Sequence, residues 1–490
     1  MIVLLLGSLL SGCVWAPKEN KLERAKADEA GKVYQQPWEK RELPELSAQP
    51  TWQEVLHRAF LANGELETAY FDWVAALQRV DQAAAYPGSN LQVGFEYMFS
   101  GGKMKAWNRT TVTAGFDPAM PLPFPTKVIQ AGKVAYEQAR AAGLRFENAK
   151  FDLQKRVLTA YLDYALMAEK VRIGRDNVAL LKMIASLAAD RVRTGAPQQD
   201  LLKAQIQYRL AQNELANMEQ EMQGMRAMLN GMLARSAEAP LAPPAALPEP
   251  RLVQADDAAL IAMAVDRNPE LGALARDVAG RKDALKLAKM AWIPDINPLV
   301  GLEGSVAQMA GVMIMLPTAI PVIQGQIKES RAMLRGSEAM VRQVRYDRAA
   351  SFVAALYAMR NAERQTKLFH DLIGPNTQQV MRSSRDAYAA GQVTFLELVD
   401  SQRTLLDVRQ VIAEARIERE KRLAEMEALA GVDIETLAQT PTPPTTPPTT
   451  VPATAPATAP ATQLTASAPT LPASTPGHPI TPLPEKSSHE

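Results

Sequence analysis

The chain has 490 residues, with 54 basic and 53 acidic side chains and a formal charge of +1. Basic and acidic residues alternate along it, so there is no basic face of the kind nucleic acid requires. Aromatics make up only 6% while Ala, Leu, Gln, Glu and Arg abound, which is the composition of long helices. A single cysteine, Cys13, excludes an intramolecular disulfide, and His57, His370, His478 and His489 stand too far apart to share a metal. No apolar run reaches the roughly 18 residues of a membrane-spanning helix.

Met1 to Leu10 is apolar and of signal-peptide length, which predicts a leader over 1–12. Leu10-Ser11-Gly12-Cys13 resembles the bacterial lipobox, in which the thiol takes a diacylglycerol and the new amino terminus is acylated. Val14 rather than Asp follows the cysteine, and among bacterial lipoproteins that favours the outer membrane. Residues 13–50 are polar, carry four prolines and read as a lipid-anchored tether.

A first repeat spans 51–238. Thr51 is placed to cap a helix over Trp52 to Leu61, and a second helix runs from Glu65 to Ala85. The period then changes to two. Leu91, Val93, Phe95, Tyr97 and Phe99 alternate with mostly polar residues, and Thr110 to Phe116 answers them across a Gly101-Gly102 turn. This predicts a β-hairpin over about 90–117, which suits either a membrane barrel or a soluble hairpin with one buried face. After Pro121, Pro123 and Pro125, a proline-free run from Lys127 to Arg193 predicts a rod of roughly 100 Å at 1.5 Å per residue. Leu153, Val157, Tyr161, Tyr164, Ala168 and Val171 form one apolar stripe along it; Leu158, Leu162 and Leu166 form another. Arg193-Thr194-Gly195-Ala196-Pro197 breaks this rod, and a second one returns from Gln198 to Ala234, completing a helical hairpin over 127–234. The returning rod carries Met218, Met222, Met225, Met228 and Met232, which suit helix packing or soft-metal handling.

A proline-rich linker over 239–251 leads to a second repeat at 252–432. Asn268-Pro269-Glu270-Leu271 echoes Asn63-Gly64-Glu65-Leu66, and Trp292-Ile293-Pro294 echoes Ala85-Tyr86-Pro87. A β-hairpin is expected at about 297–316, shorter and less regular than the first. A helical hairpin at 322–430 follows, broken at Pro375 and turning at Ala389-Ala390-Gly391-Gln392-Val393. A repeat offset near 200 residues implies duplication and pseudo-symmetry. The helices at 198–234 and 268–291 together match one long rod, which suggests that the two stack end to end beside it. The tail over 433–490 is rich in Pro, Thr and Ala and is expected to stay unfolded.

The lipobox, the "NPEL…AWIPD" segment at 268–295, the duplicated helical hairpins and the Gly391 turn followed by "DSQRTLL" carry a family resemblance. From about 50 to 432 the chain resembles the TolC-like outer-membrane efflux channels. The resemblance implies a mainly α fold with a small transmembrane β part: helical hairpins forming an α-barrel tunnel, and two β-hairpins per chain entering a barrel shared by a homotrimer. It implies a passive conduit in the outer membrane, held by lipid on Cys13 and extending far into the periplasm. Such a conduit is not an enzyme, takes no cofactor, and works with a periplasmic adaptor and an inner-membrane pump. The turns at Arg193, Thr194 and Gly195 and at Ala390, Gly391 and Gln392 would meet the adaptor.

Glu397 and Asp400, one helical turn apart, match family positions that ring the pore constriction, and Asp200 holds a comparable place in the first repeat. Ordinary solvated helix carboxylates look the same in sequence. The other class of reading is a coiled-coil scaffold or adaptor lipoprotein with no pore.

Overall fold

The computed structural model describes residues 15–434, apart from 87–90, 101, 117–121, 254, 304 and 306. Cys13, the leader over 1–12 and the tail from 435 onward lie outside the described residues. Helices α1 (Asn20–Ala30), α2 (Trp52–Ala62) and α3 (Gly64–Ala83) precede strands β1 (Leu91–Tyr97) and β2 (Thr110–Phe116). Next come the long α4 (Pro125–Arg193), α5 (Gln198–Met232), α6 (Asp257–Asp266) and α7 (Pro269–Lys289). Strands β3 (Asp295–Glu303) and β4 (Ala307–Met315) lead into α8 (Ile320–Leu368), α9 (Gly374–Ala389) and α10 (Phe395–Ala430).

Local chemistry sets these limits. Thr51 and Asn63 accept hydrogen bonds from the first free N–H groups of α2 and α3. Prolines occupy the first turn of α4, α7 and α8, where a missing N–H costs nothing. The break expected at Pro375 does not occur. The backbone widens into a single π turn over Phe369–Ile373, and helix resumes as α9 with Pro375 in its first turn. The wider turn accommodates the bond that a proline nitrogen cannot make.

The helices lie in four columns. α4 is one continuous column, and α8 with α9 is another. α3 and α5 both pack on α4; α7 and α10 pack on α4 and also on α8. The expected partnership of 198–234 with 268–291 is therefore corrected: α5 is continued by α3, and α10 by α7. Asparagine makes both joints. The Asn63 carbonyl accepts from Glu65 and Leu66 N–H at 3.0 and 3.2 Å, while its amide donates to the Met232 carbonyl at 3.4 Å. Asn268 accepts from Leu271 N–H at 2.8 Å and donates to the Leu429 carbonyl at 2.6 Å. Each side chain thus starts one helix and satisfies the end of another.

Residues 15–50 form a strap bound to the body, not a loose tether. Trp15 N–H bonds the Ala84 carbonyl at 2.9 Å, and Arg24 reaches Asp81 at 2.7 Å. Tyr34 donates to the Phe60 carbonyl at 2.6 Å, and Arg41 holds Glu67 at 2.8 Å. Ala27 and Tyr34 are buried. Gly31 is needed where it stands, since a Cβ there would fall 1.9 Å from Cζ of Tyr70. A few well-placed apolar groups outweigh the polar composition that suggested a free chain.

Apolar burial falls in three clusters. One joins the strap, α2 and α3 to α4 around Tyr70, Trp73 and Phe146. A second joins α6, α8 and α10, and a third lies where α4, α5, α9 and α10 converge at the hairpin tips. Both stripes of α4 find neighbours: Leu153, Val157, Tyr161, Leu158 and Leu162 are all buried. Met222, Met225 and Met232 pack on the first cluster and the Met218 sulfur approaches Gly174, so four of the five serve packing while Met228 stays exposed. The linker ends at Arg251, whose Nε reaches Glu420 at 3.1 Å and whose Nη1 reaches both oxygens of Glu427 at 3.0 Å.

The strands form one antiparallel sheet in the order β1-β2-β3-β4. The second hairpin, expected to be the shorter, has nine-residue strands against seven in the first.

Candidate functional site at the hairpin tips and the open sheet

The two turns share one backbone design. Ala196 N–H bonds the Arg191 carbonyl at 3.0 Å and Gly195 N–H bonds Val192 at 3.2 Å. Gln392 N–H bonds Ala387 at 2.9 Å and Gly391 N–H bonds Tyr388 at 3.1 Å. These are paired Schellman closures, and they require a left-handed residue, supplied by Gly195 at φ 102° and Gly391 at φ 78°. Arg193, Thr194, Gly195, Ala390, Gly391 and Gln392 are all exposed at this end.

Arg191 ties the turns together. Its Nη1 donates to the Tyr388 carbonyl at 2.8 Å, and its guanidinium lies 4.8 Å from the centre of the Tyr388 ring. Tyr388 is fully buried, with its ring against Phe395. Burial pushes the phenol pKa up, the nearby Asp200 charge adds to the rise, and Arg191 opposes it. Sequence reading missed both Arg191 and Tyr388. The only hint was a basic residue in the last turn of a helix, where carbonyls lack partners.

The acidic residues separate by role. The Thr394 side chain accepts from Glu397 N–H at 3.3 Å, while the Glu397 carboxylate accepts from Thr394 N–H at 3.0 Å. This capping box starts α10. Asp400 lies exposed one turn along the same face, while Leu398 and Val399 between them enter the tip core. Asp200 is on α5, half-buried, with its charge close enough to Tyr388 to raise the phenol pKa.

At the opposite end the sheet stands on the helices. Leu122 and Ile296 exchange backbone bonds at 3.0 and 3.1 Å, and Asp295 accepts from Lys127 at 2.8 Å. The register separates a mostly apolar surface from a mostly polar one. Val93, Phe95, Val112, Ala114, Leu302, Val312 and Ile314 share one face; Gly94, Glu96, Thr111, Thr113, Gly301 and Glu303 share the other. Phe95 and Ile314 remain 70% and 60% exposed, so among the described residues nothing covers the apolar face. β1 and β4 are open edges.

Among the described residues no helix is long and apolar enough to cross a membrane, and no three His, Cys, Asp or Glu side chains cluster to hold a metal.

No family model matches the sequence. The chain is similar to the cobalt-zinc-cadmium resistance protein CzcC of Cupriavidus metallidurans, at 21% identity over 287 residues. That match covers 56% of this chain and 65% of the relative's length. The structure resembles the outer-membrane channel OprN at a TM-score of 0.64 and 16% identity, over 82% of this chain and 92% of that one. It resembles the outer membrane protein VceC of Vibrio cholerae at 0.65 and 14% identity, over 78% and 96%. Spliced helix columns, paired glycine turns and a four-stranded open sheet together give this chain the fold of the TolC-like outer-membrane channels.

Proposed function

We propose that the chain is the outer-membrane conduit of a tripartite export system, passing substrates outward without catalysing a reaction. The observation that carries this reading is that the fold ends in two unsatisfied edges. β1 and β4 present unpaired backbone groups. The outer helix columns expose apolar rows, Leu202, Ile206 and Leu210 on α5 and Tyr346, Tyr357 and Val380 on α8 and α9. In lipid neither edge can stay open, and joining one edge of each copy to the other edge of the next satisfies both. Head-to-tail contacts of this kind close into a ring, and a closed ring is the only state in which a strand survives in lipid. A homotrimer in which each copy gives four strands fits the family resemblance. Its apolar face then meets lipid and its polar face lines the lumen.

The remaining roles follow from position. The chain enters the described structure at Trp15, hydrogen-bonded beside the base of the sheet, which suits lipid on Cys13 in the outer membrane. The exposed turn residues Arg193, Thr194, Gly195, Ala390, Gly391 and Gln392 lie at the far end, where an adaptor and pump would be met in the periplasm. Threefold repetition turns Glu397 and Asp400 into carboxylate rings that favour cations, with Asp200 a third carboxylate at the same end.

Single-channel recording of the purified protein in a planar bilayer, alongside native mass measurement, tests the reading. A steady cation-selective current from a trimer is expected. Silence from well-folded trimers would leave a pore-free scaffold as the better description. Glu397→Ala with Asp400→Ala should lower cation selectivity; unchanged selectivity would remove the ring assignment alone.

A further inference from the structure

The polar face of the sheet has an exception in β4. Its register places Met309 opposite Gly301, Met313 opposite Asn297 and Met315 opposite Asp295. All three methionines therefore share the surface of Thr113, Glu96 and Glu303, while Val312 and Ile314 take the apolar side. The contacts agree: the Met309 methyl lies 3.4 Å from where a Gly301 Cβ would stand, with a Thr113 methyl 3.8 Å from the same point. Exposures of 51%, 41% and 39% show that none of the three is packed into a core.

Packing does not explain this choice. Unbranched methionine is not a residue that strands favour, whereas Val312 and Ile314 on the other face of β4 are branched. Apolar bulk on a wetted face gains nothing from burial in the single chain. What methionine adds over valine or isoleucine is a thioether, a soft ligand that prefers Cu(I) and its congener Ag(I) to hard or borderline cations. The spacing suits one ion. Met313 and Met315 lie two residues apart on one face, roughly 7 Å between Cα atoms. Each has three rotatable bonds, enough to bring both sulfurs to a single ion. Met309 lies two such steps further along the strand. Glu96 and Glu303, on the same face, lie at the Met309 end of the strand and add a negative field there, while Asp295 stands opposite Met315.

We propose that Met309, Met313 and Met315 form a line of thioethers on the lumen side of the barrel that takes up soft monovalent cations, Met313 and Met315 sharing one ion. The site rests on the reading of the polar face as the lumen, but binding to the thioethers can be measured separately. Full-length protein carrying ε-¹³C-methyl methionine is titrated with silver nitrate. The resonances missing from the Met309→Leu, Met313→Leu, Met315→Leu variant identify the trio. Leucine keeps the volume, and single substitutions give the same assignment one signal at a time should the triple variant fold poorly. The three signals should move at an Ag⁺ concentration about tenfold below that needed to move the exposed Met228 and Met340. Movement in step with those two would overturn the site. In planar bilayers, Ag⁺ should depress the potassium nitrate current of the wild type and spare that of the triple variant. Equal effects on both would also overturn it. A protein that passes no potassium current at all would sink the channel reading, and the resonances would then decide the site alone.

Discussion

Glu427 is fully buried and faces Arg251 on one side and Asp433 on the other. Burial lifts its pKa from 4.5 to about 7; Arg251 opposes the rise and Asp433 adds to it. A carboxyl whose pKa is raised by folding holds its proton more tightly when folded. Its contribution is complete below pH 4.5 and disappears as pH climbs through 7. Thermal stability should therefore fall between pH 5 and 8 by an amount reaching about 3 kcal/mol from this group. Scanning calorimetry at several pH values measures it, and Glu427→Gln should flatten the slope; an unaltered slope would point to another titrating group. Arg191 makes a second case. Arg191→Ala removes a hydrogen bond to the Tyr388 carbonyl and a cation over the ring, together about 1–2 kcal/mol. Faster amide hydrogen exchange over 386–392 than over α4 is the expected signature, and equal protection in variant and wild type would show that Arg191 is dispensable there. Neither contact was visible in the sequence. Arg191 and Tyr388 are far apart along the chain, and each on its own is an ordinary helix residue.

Among the elements, the sequence indicated rods better than joints. Proline-free runs and glycine turns placed α4, α5, α8 and α10 within a few residues, because helix limits are local chemistry. The echo of Asn63 in Asn268 was legible as a mark of duplication, but its purpose was not. The carbonyls it satisfies belong to Met232 and Leu429, far along the chain. Asn268→Ala should cost about 1–2 kcal/mol through the lost cap and the orphaned Leu429 carbonyl. Asn268→Asp keeps the capping oxygen but replaces the donor with a charge beside that carbonyl. If the joint matters, Asp will be at least as harmful as Ala; if only the cap matters, Asp will behave like wild type. Chemical denaturation of the two variants side by side separates these outcomes. The strap over 15–50 was misread for a related reason. Its few anchors, Ala27 and Tyr34 among them, are diluted by charged neighbours whose contacts with Asp81 and Glu67 only the fold creates.

Across the whole molecule, the decisive information is what remains uncovered. Alternation in 91–99 allowed a membrane barrel or a soluble hairpin, and no reading of one hairpin separates them. The assembled sheet adds an observation of its own: its apolar face has no partner among the described residues. A charge on that face should obstruct insertion: Val312→Lys is expected to cost about 2–4 kcal/mol of folding into liposomes, whereas Thr113→Lys on the opposite face should be tolerated. Refolding yields of the two variants into lipid vesicles test the assignment, and a reversed order would exchange lipid side and lumen side.

The asparagine joints also bear on how force travels through the chain. Continuous α4 and the α8–α9 rod convey both thrust and torsion from end to end. The jointed columns between and beside them press end against end, but a side-chain amide resists rotation about the common axis far less than covalent backbone does. A twist applied at the turns is thus passed to the sheet end by alternate staves alone, the jointed columns shedding their share partway along.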